Sequence, residues 1–160
     1  MSAELTIRPA RREDLGAIVA LWRDLDWLNW IREADPSRIE SVMAKRLAES
    51  QADDSHLALV AEDGQGQVLG YAAMHFLPCF MMPGPEAYVS ELFVAADARG
   101  QGVGQQLLRH LEDTAQERGC ARLMLITLRD RESYQREFYK KQGWQERPVI
   151  ANFVRNLMEF

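Results

Sequence analysis

The chain reads as an α/β protein of the α+β kind, with a mixed, mostly antiparallel central sheet of six to seven strands flanked by about four helices. Three observations carry that reading. Short runs that alternate or concentrate apolar residues, as strands do, recur from Leu5 to the C-terminal tail. Between them lie segments whose apolar residues return at helical spacing, such as Val103, Leu107, Leu108 and Leu111. Asp63-Gly64-Gln65-Gly66 joins two strand-like runs directly, which folds them back antiparallel.

The elements follow in order. Leu5-Thr6-Ile7-Arg8 alternates and is stopped by Pro9, giving a first strand. Glu13 and Asp14 open a helix carrying Leu15, Ile18, Leu21, Trp22 and Leu25 on one face. Asp35-Pro36 is an N-cap followed by a first helical position, and the helix it starts buries Ile39, Val42, Met43 and Leu47. His56–Ala61 and Val68–Leu77 are the two strands joined by the Asp63–Gly66 turn. Residues 78–85, Pro-Cys-Phe-Met-Met-Pro-Gly-Pro, form an apolar loop. The Tyr88–Val94 strand comes next, then a glycine-rich turn and a helix that closes at Gly119, a C′ glycine. Arg122–Leu128 is nearly continuous in apolar residues, as expected of a strand buried on both faces. A last helix covers roughly Glu132 to Gln142 and stops at Gly143, and the tail from about Trp144 to Phe160 reads as one or two strands. The order is β-α-α-β-β-β-α-β-α-β(β), which places helices on both faces of the sheet.

At 160 residues the chain is expected to form one domain spanning 1–160, long enough to bury about 70% of its extended surface without staples. A net charge of −5 gives no basic footprint for nucleic acid and mildly favours cationic partners such as amines. The longest apolar runs are far too short to span a bilayer, so no membrane partner is expected. Cys79 and Cys120 have no metal-ligand spacing, and with seven methionines they suit a reducing, cytoplasmic setting. His56, His75 and His110 lack cysteine or carboxylate partners at ligand spacing, so no metal is expected.

The most informative stretch is Arg99-Gly100-Gln101-Gly102-Val103-Gly104. It stands between the Tyr88–Val94 strand and an amphipathic helix, where unpaired backbone N–H groups and the helix dipole favour an anion. Three phosphate-binding patterns compete for it. A P-loop ends in Gly-Lys-Ser/Thr, and there is no lysine here. A dinucleotide fingerprint needs G-x-G-x-x-G and an acidic residue about twenty positions on, where this chain has Cys120 to Leu125. The third pattern is Arg/Gln-x-x-Gly-x-Gly/Ala after a strand, which Arg99, Gly102 and Gly104 match. The plain alternative is a tight strand–helix turn with no ligand.

That third pattern resembles the coenzyme A loop of the GNAT family of N-acetyltransferases, and the order of elements resembles the family's over nearly the whole chain. The resemblance implies a single N-acetyltransferase-like domain using acetyl-CoA as co-substrate. It implies that Arg99, Gly100, Gln101, Gly102, Val103, Gly104 and Gln105 hold the diphosphate. It also implies that the strand around Leu92, Phe93 and Val94 bulges and splays, with the pantetheine arm in the gap. No Gly or Pro there signals a bulge.

Acetyl transfer to an amine needs a proton acceptor and a proton donor. Glu91 is the candidate base. Strand alternation puts Val89, Glu91 and Phe93 on one face and Ser90, Leu92 and Val94 on the other. A carboxylate among apolar neighbours needs a partner or a task. With an alkyl amine pKa near 10.4, only about one acceptor in a thousand is neutral at pH 7. The other readings are a salt-bridged or sheet-rim glutamate, with a water chain as base. Tyr139 is the candidate acid: Phe138-Tyr139-Lys140-Lys141-Gln142-Gly143-Trp144 resembles the family's Phe-Tyr-x-x-x-Gly-Phe/Trp segment, in which the tyrosine hydroxyl faces the coenzyme sulfur. A phenol with pKa about 10 stays protonated and can donate to a departing thiolate. The alternative is a buried tyrosine with a structural hydrogen bond. Where many members carry an asparagine that contacts pantetheine, this chain has Glu132 or Ser133, and Ser133 can donate a comparable hydrogen bond. Trp27, Trp30 and the Phe80-Met81-Met82 loop could wall an acceptor pocket for a small-molecule or peptide amine. Equally, they could pack as core or as the face of a homodimer.

Overall fold

The computed structural model describes residues 5–25 and 28–158. The chain divides into two compact units, residues 1–125 and 126–160. The first contains strands β1 (Thr6–Pro9), β2 (His56–Glu62), β3 (Val68–Leu77), β4 (Glu86–Val94) and β5 (Arg122–Leu125). Its helices are α1 (Leu15–Arg23), α2 (Asn29–Glu33), α3 (Pro36–Asp53) and α4 (Val103–Glu117). The second contains two short helices, α5 (Glu132–Gln135) and α6 (Phe138–Lys141). The mixed α/β class read from the sequence is the observed one.

The sheet has the order β1-β2-β3-β4-β5. The first three pairings are antiparallel, and β5 joins β4 in parallel. The β2–β3 hairpin closes through Asp63, whose Oδ1 accepts from Gln65 N and Gln67 N at 2.9 Å each. At the far edge, Arg8 bonds Asp14 Oδ2 at 2.7 Å and Glu62 Oε2 at 2.6 Å, tying β1 to β2 and to the turn that enters α1. The Arg8 hydrogen bond holds the buried Asp14 carboxyl below its ordinary range. At α3, Asp35 accepts from Ser37 N at 2.8 Å and Pro36 occupies the first turn, as the Asp-Pro pair predicts.

Helices cover both faces of the sheet. The apolar stripe of α4, comprising Val103, Leu107, Leu108, Leu111 and Ala115, is buried. Full burial of each of its leucines is worth about 1.5–3 kcal/mol. A Cβ on Gly70 would lie 3.0 Å from both Leu107 Cδ1 and Val103 Cγ1, so the glycine lets α4 seat directly on β3. On the opposite face, Ile18 packs with Ala10, Val60, Tyr71 and Ala73, and Trp22, Met43, Leu47 and Phe93 close over them.

Three expectations are corrected. Among the described residues the sheet has five strands, not six or seven, because residues 144–158 join no ladder. Alternation is only half of a strand's requirement, the other half being a partner. Here Pro148 lacks an N–H, and Val149, Phe153 and Leu157 are exposed. β5 ends at Leu125 and is an edge strand with one neighbour, so Arg122–Leu128 is not buried on both faces, and Ile126 and Leu128 are exposed. The expected last helix is also broken in two, at Glu137, whose φ of 57° lies in the left-handed region.

Candidate active site

β4 carries the central irregularity. Ala73 pairs with Glu91 and Met74 pairs with Val89, so Ser90 is an extra residue, a β-bulge. Ser90 Oγ lies 3.0 Å from His75 Nε2 and donates to the Ala73 carbonyl at 3.5 Å, which pins the bulge from β3. The bulge corrects the alternation read from the sequence. Gly70, Ala72 and Met74 face α4, so their partners Val94, Leu92 and Val89 do too. Tyr71 and Ala73 face α1, and Phe93 and Glu91 follow them. Val89 and Glu91 therefore lie on opposite faces.

Among the described residues the ladder with β5 covers Glu86–Val89 and ends at the bulge. Leu92, Phe93 and Val94 lie past the end of that ladder.

The glycine turn follows. A 3-10 turn over Ala96–Ala98 leads to Arg99, whose Nε donates to the Val94 carbonyl at 3.3 Å, and Gln101 Nε2 donates to the Asp97 carbonyl at 2.8 Å. Gly100 and Gly102 have φ of 77° and 85°, a region that L side chains avoid. An added Cβ on either would meet nothing within 4 Å, so the space over the turn is open. Gly102 caps α4 without a side-chain hydrogen bond to its first amides. Open space, an uncapped helix start and two positive-φ glycines fit a diphosphate. A cleft of about 360 Å³ extends from Gly102 and Gln105 along α4 over Arg109 and His110 to Ile7. Arg109 was not singled out from sequence and His110 was weighed there only as a metal ligand, because nothing distinguishes them from any solvent-facing helical residue.

Glu91 is largely buried, and its Oε2 has no hydrogen-bond partner. Burial pushes its carboxyl above the ordinary value of 4.5, and a hydrogen bond from Tyr71 pulls part of the way back. The folded protein therefore binds this proton more tightly than the unfolded chain does. Stability should decline as pH rises from the unfolded value through the raised folded one. Glu91→Gln stays neutral throughout. Its melting temperature relative to wild type is expected to climb between about pH 4 and pH 8, read by differential scanning fluorimetry. A constant difference would mean that the carboxylate is solvated.

In the second unit, Tyr139 sits half-buried on α6, its ring 5.1 Å from that of Phe138 and 6.2 Å from that of Trp144. Burial raises its phenol above 10, opposed by a hydrogen bond with Ser133 and by Arg131. The phenol thus stays protonated at neutral pH. Ser133, read as a pantetheine contact, lies half-buried on α5 in the same unit. Of the acceptor candidates, Trp30 lies partly exposed on α2, while Phe80 and Met81 are fully exposed in the β3–β4 loop. Trp27 lies outside the described residues. Among the described residues no group of three His, Cys, Asp or Glu is placed to hold a metal, and no helix is long and apolar enough to cross a membrane.

The model of the acetyltransferase (GNAT) family matches residues 21–144, and the chain belongs to that family. It is 26% identical over 148 residues to a thialysine N-epsilon-acetyltransferase of Bos taurus, covering 90% of this chain and 86% of that one. It is 32% identical over 129 residues to glucosamine 6-phosphate N-acetyltransferase 1 of Oryza sativa subsp. japonica, covering 78% and 74%. A solved structure titled a transcriptional regulator from Bacillus halodurans C-125 superposes with a TM-score of 0.82 at 27% identity, over 96% of this chain and all of that one.

Proposed function

We propose that this protein moves an acetyl group from acetyl-CoA to a primary amine by direct attack in a ternary complex. The observation that carries the reading is the open, positive-φ glycine turn at the start of α4, which follows a bulged strand whose ladder with β5 ends at Val89. Backbone amides of residues 100–105 and the Arg99 side chain would hold the diphosphate. The backbone of Leu92–Val94 would receive the pantetheine arm. The amine nitrogen forms a bond to the thioester carbonyl carbon and the C–S bond breaks. Glu91 accepts the amine proton, and the Tyr139 phenol protonates the departing thiolate. No acyl-enzyme is required.

The acceptor we propose is a small-molecule or peptide amine. The family membership supports this, as do relatives named for transfer to thialysine and to glucosamine 6-phosphate. Trp27, Trp30 and Phe80 are proposed to meet it. The free cysteines Cys79 and Cys120 fit a reducing, cytoplasmic setting.

The deciding experiment is a panel of amines incubated with acetyl-CoA and read by free-thiol release. The panel includes thialysine, glucosamine 6-phosphate, polyamines, amino acids and a peptide with a free N-terminus. Acetyl-CoA alone at a hundredfold excess over its Kd is expected to stabilise the fold by about 2.7 kcal/mol, a melting shift of roughly 5–10 °C. No shift removes the coenzyme assignment. The similarity to a structure titled a transcriptional regulator favours one second reading, a coenzyme A-binding sensor without turnover. That reading predicts the melting shift but no thiol release with any amine or short acyl donor.

A further inference from the structure

Tyr71 was not among the residues that sequence singled out, yet it is 6% exposed and lies on the same face of the sheet as Glu91. The two sit diagonally across β3 and β4, since Tyr71 pairs with Phe93 and Ala73 pairs with Glu91. Diagonal neighbours on one face are within reach of an aromatic side chain. The Tyr71 ring is set from α1 by Trp22, edge-on with centroids 5.5 Å apart. Its hydroxyl lies near enough to draw the Glu91 carboxyl back toward its ordinary value, and Oε2 of that carboxyl is buried with no partner.

We propose that Tyr71 is a positioning residue for Glu91, its hydroxyl hydrogen-bonding the carboxylate from β3 and fixing the orientation in which it takes a proton from an acceptor amine. This rests on Glu91 being the proton acceptor. Two physical facts support it. A buried carboxylate held by one donor has a defined orientation, and the donor stabilises its charged form against burial. No other ionisable group among the described residues does this work. On α1 the one charged side chain, Arg23, donates instead to the carbonyls of Arg32 and Ala34. On β3, His75 is engaged with Ser90. On β4, Glu86 is paired with Arg122. From α3, Met43 and Leu47 bring only apolar atoms to the same cluster.

The test is Tyr71→Phe, which deletes one oxygen and keeps the ring against Trp22. The Glu91 carboxyl is followed by ¹³C NMR in protein labelled at glutamate, its resonance assigned as the one missing in Glu91→Gln. In Tyr71→Phe its titration midpoint is expected to rise by about one pH unit, a tenfold change in proton affinity. The acid limb of kcat/KM, measured with the panel amine that turns over fastest, should move with it, and KM for acetyl-CoA should not. A midpoint that stays in place overturns the proposal. A midpoint that moves while the acid limb stays keeps the Tyr71–Glu91 link but overturns Glu91 as the base, and with it any role of Tyr71 in catalysis. Should Tyr71→Phe fold poorly, 3-fluorotyrosine placed at position 71 is a stronger donor of the same shape. It should displace the midpoint downward, and no displacement there also overturns the proposal.

Discussion

Gly104→Glu is expected to abolish acetyl-CoA binding while leaving the fold intact. Gly104 is the second residue of α4 and half-buried beside the open glycine turn. A carboxylate there would meet the coenzyme diphosphate with like charge. At about 4 Å and an effective dielectric near 20, that repulsion is about 4 kcal/mol, or roughly three decades in Kd. The same substitution should not harm the apo protein. An acidic residue in the first turn of a helix is favourable by roughly 0.3–1 kcal/mol, and replacing a helical glycine adds a similar gain. Isothermal titration calorimetry should therefore show lost affinity alongside an undiminished melting temperature. Normal affinity would reduce residues 99–104 to a connecting turn.

Tyr139→Phe is expected to lower kcat by about a hundredfold or more, the usual span for removing a general acid, with little change in acetyl-CoA affinity. The ring contacts with Phe138 and Trp144 survive the substitution. Losing the hydrogen bond with Ser133 costs about 0.5–1.5 kcal/mol of stability, too little to unfold a domain. Because burial raises the phenol, the wild-type donor stays loaded well into the alkaline range. Single-turnover rates of thiol release separate this from slow product departure. An unchanged rate would leave Tyr139 as a packing residue.

Much of the fold was legible because local chemistry agreed with tertiary need. Asp35-Pro36 starts α3, Gly119 and Gly143 follow helix ends with positive φ, Asp63 closes its hairpin, and the stripe of α4 is buried as spaced. The glycine turn was legible for the same reason, since positive φ selects glycine. What stayed hidden depends on partners far along the chain. Nothing in Val89-Ser90-Glu91 announces a bulge, because the residues that hold it, His75 and the Ala73 carbonyl, lie on another strand. α2 is five residues long, too short for periodicity to declare itself. Glu137 takes a left-handed conformation that its side chain does not advertise. Tyr71 looked like one more strand aromatic until the register set it beside a buried acid.

The extra residue in β4 makes the bulge, rather than composition, the feature that decides which surface Glu91 takes. A one-residue slip sends every following side chain to the other surface. Absorbing Ser90 into a regular ladder would turn Glu91 toward the leucines of α4 and Leu92 toward α1, with no residue of the chain changed. Excising residue 90 should therefore leave Glu91 opposite Ala73, whereas a change that irons out the bulge with residue 90 kept should yield folded protein with its acid facing the wrong helix.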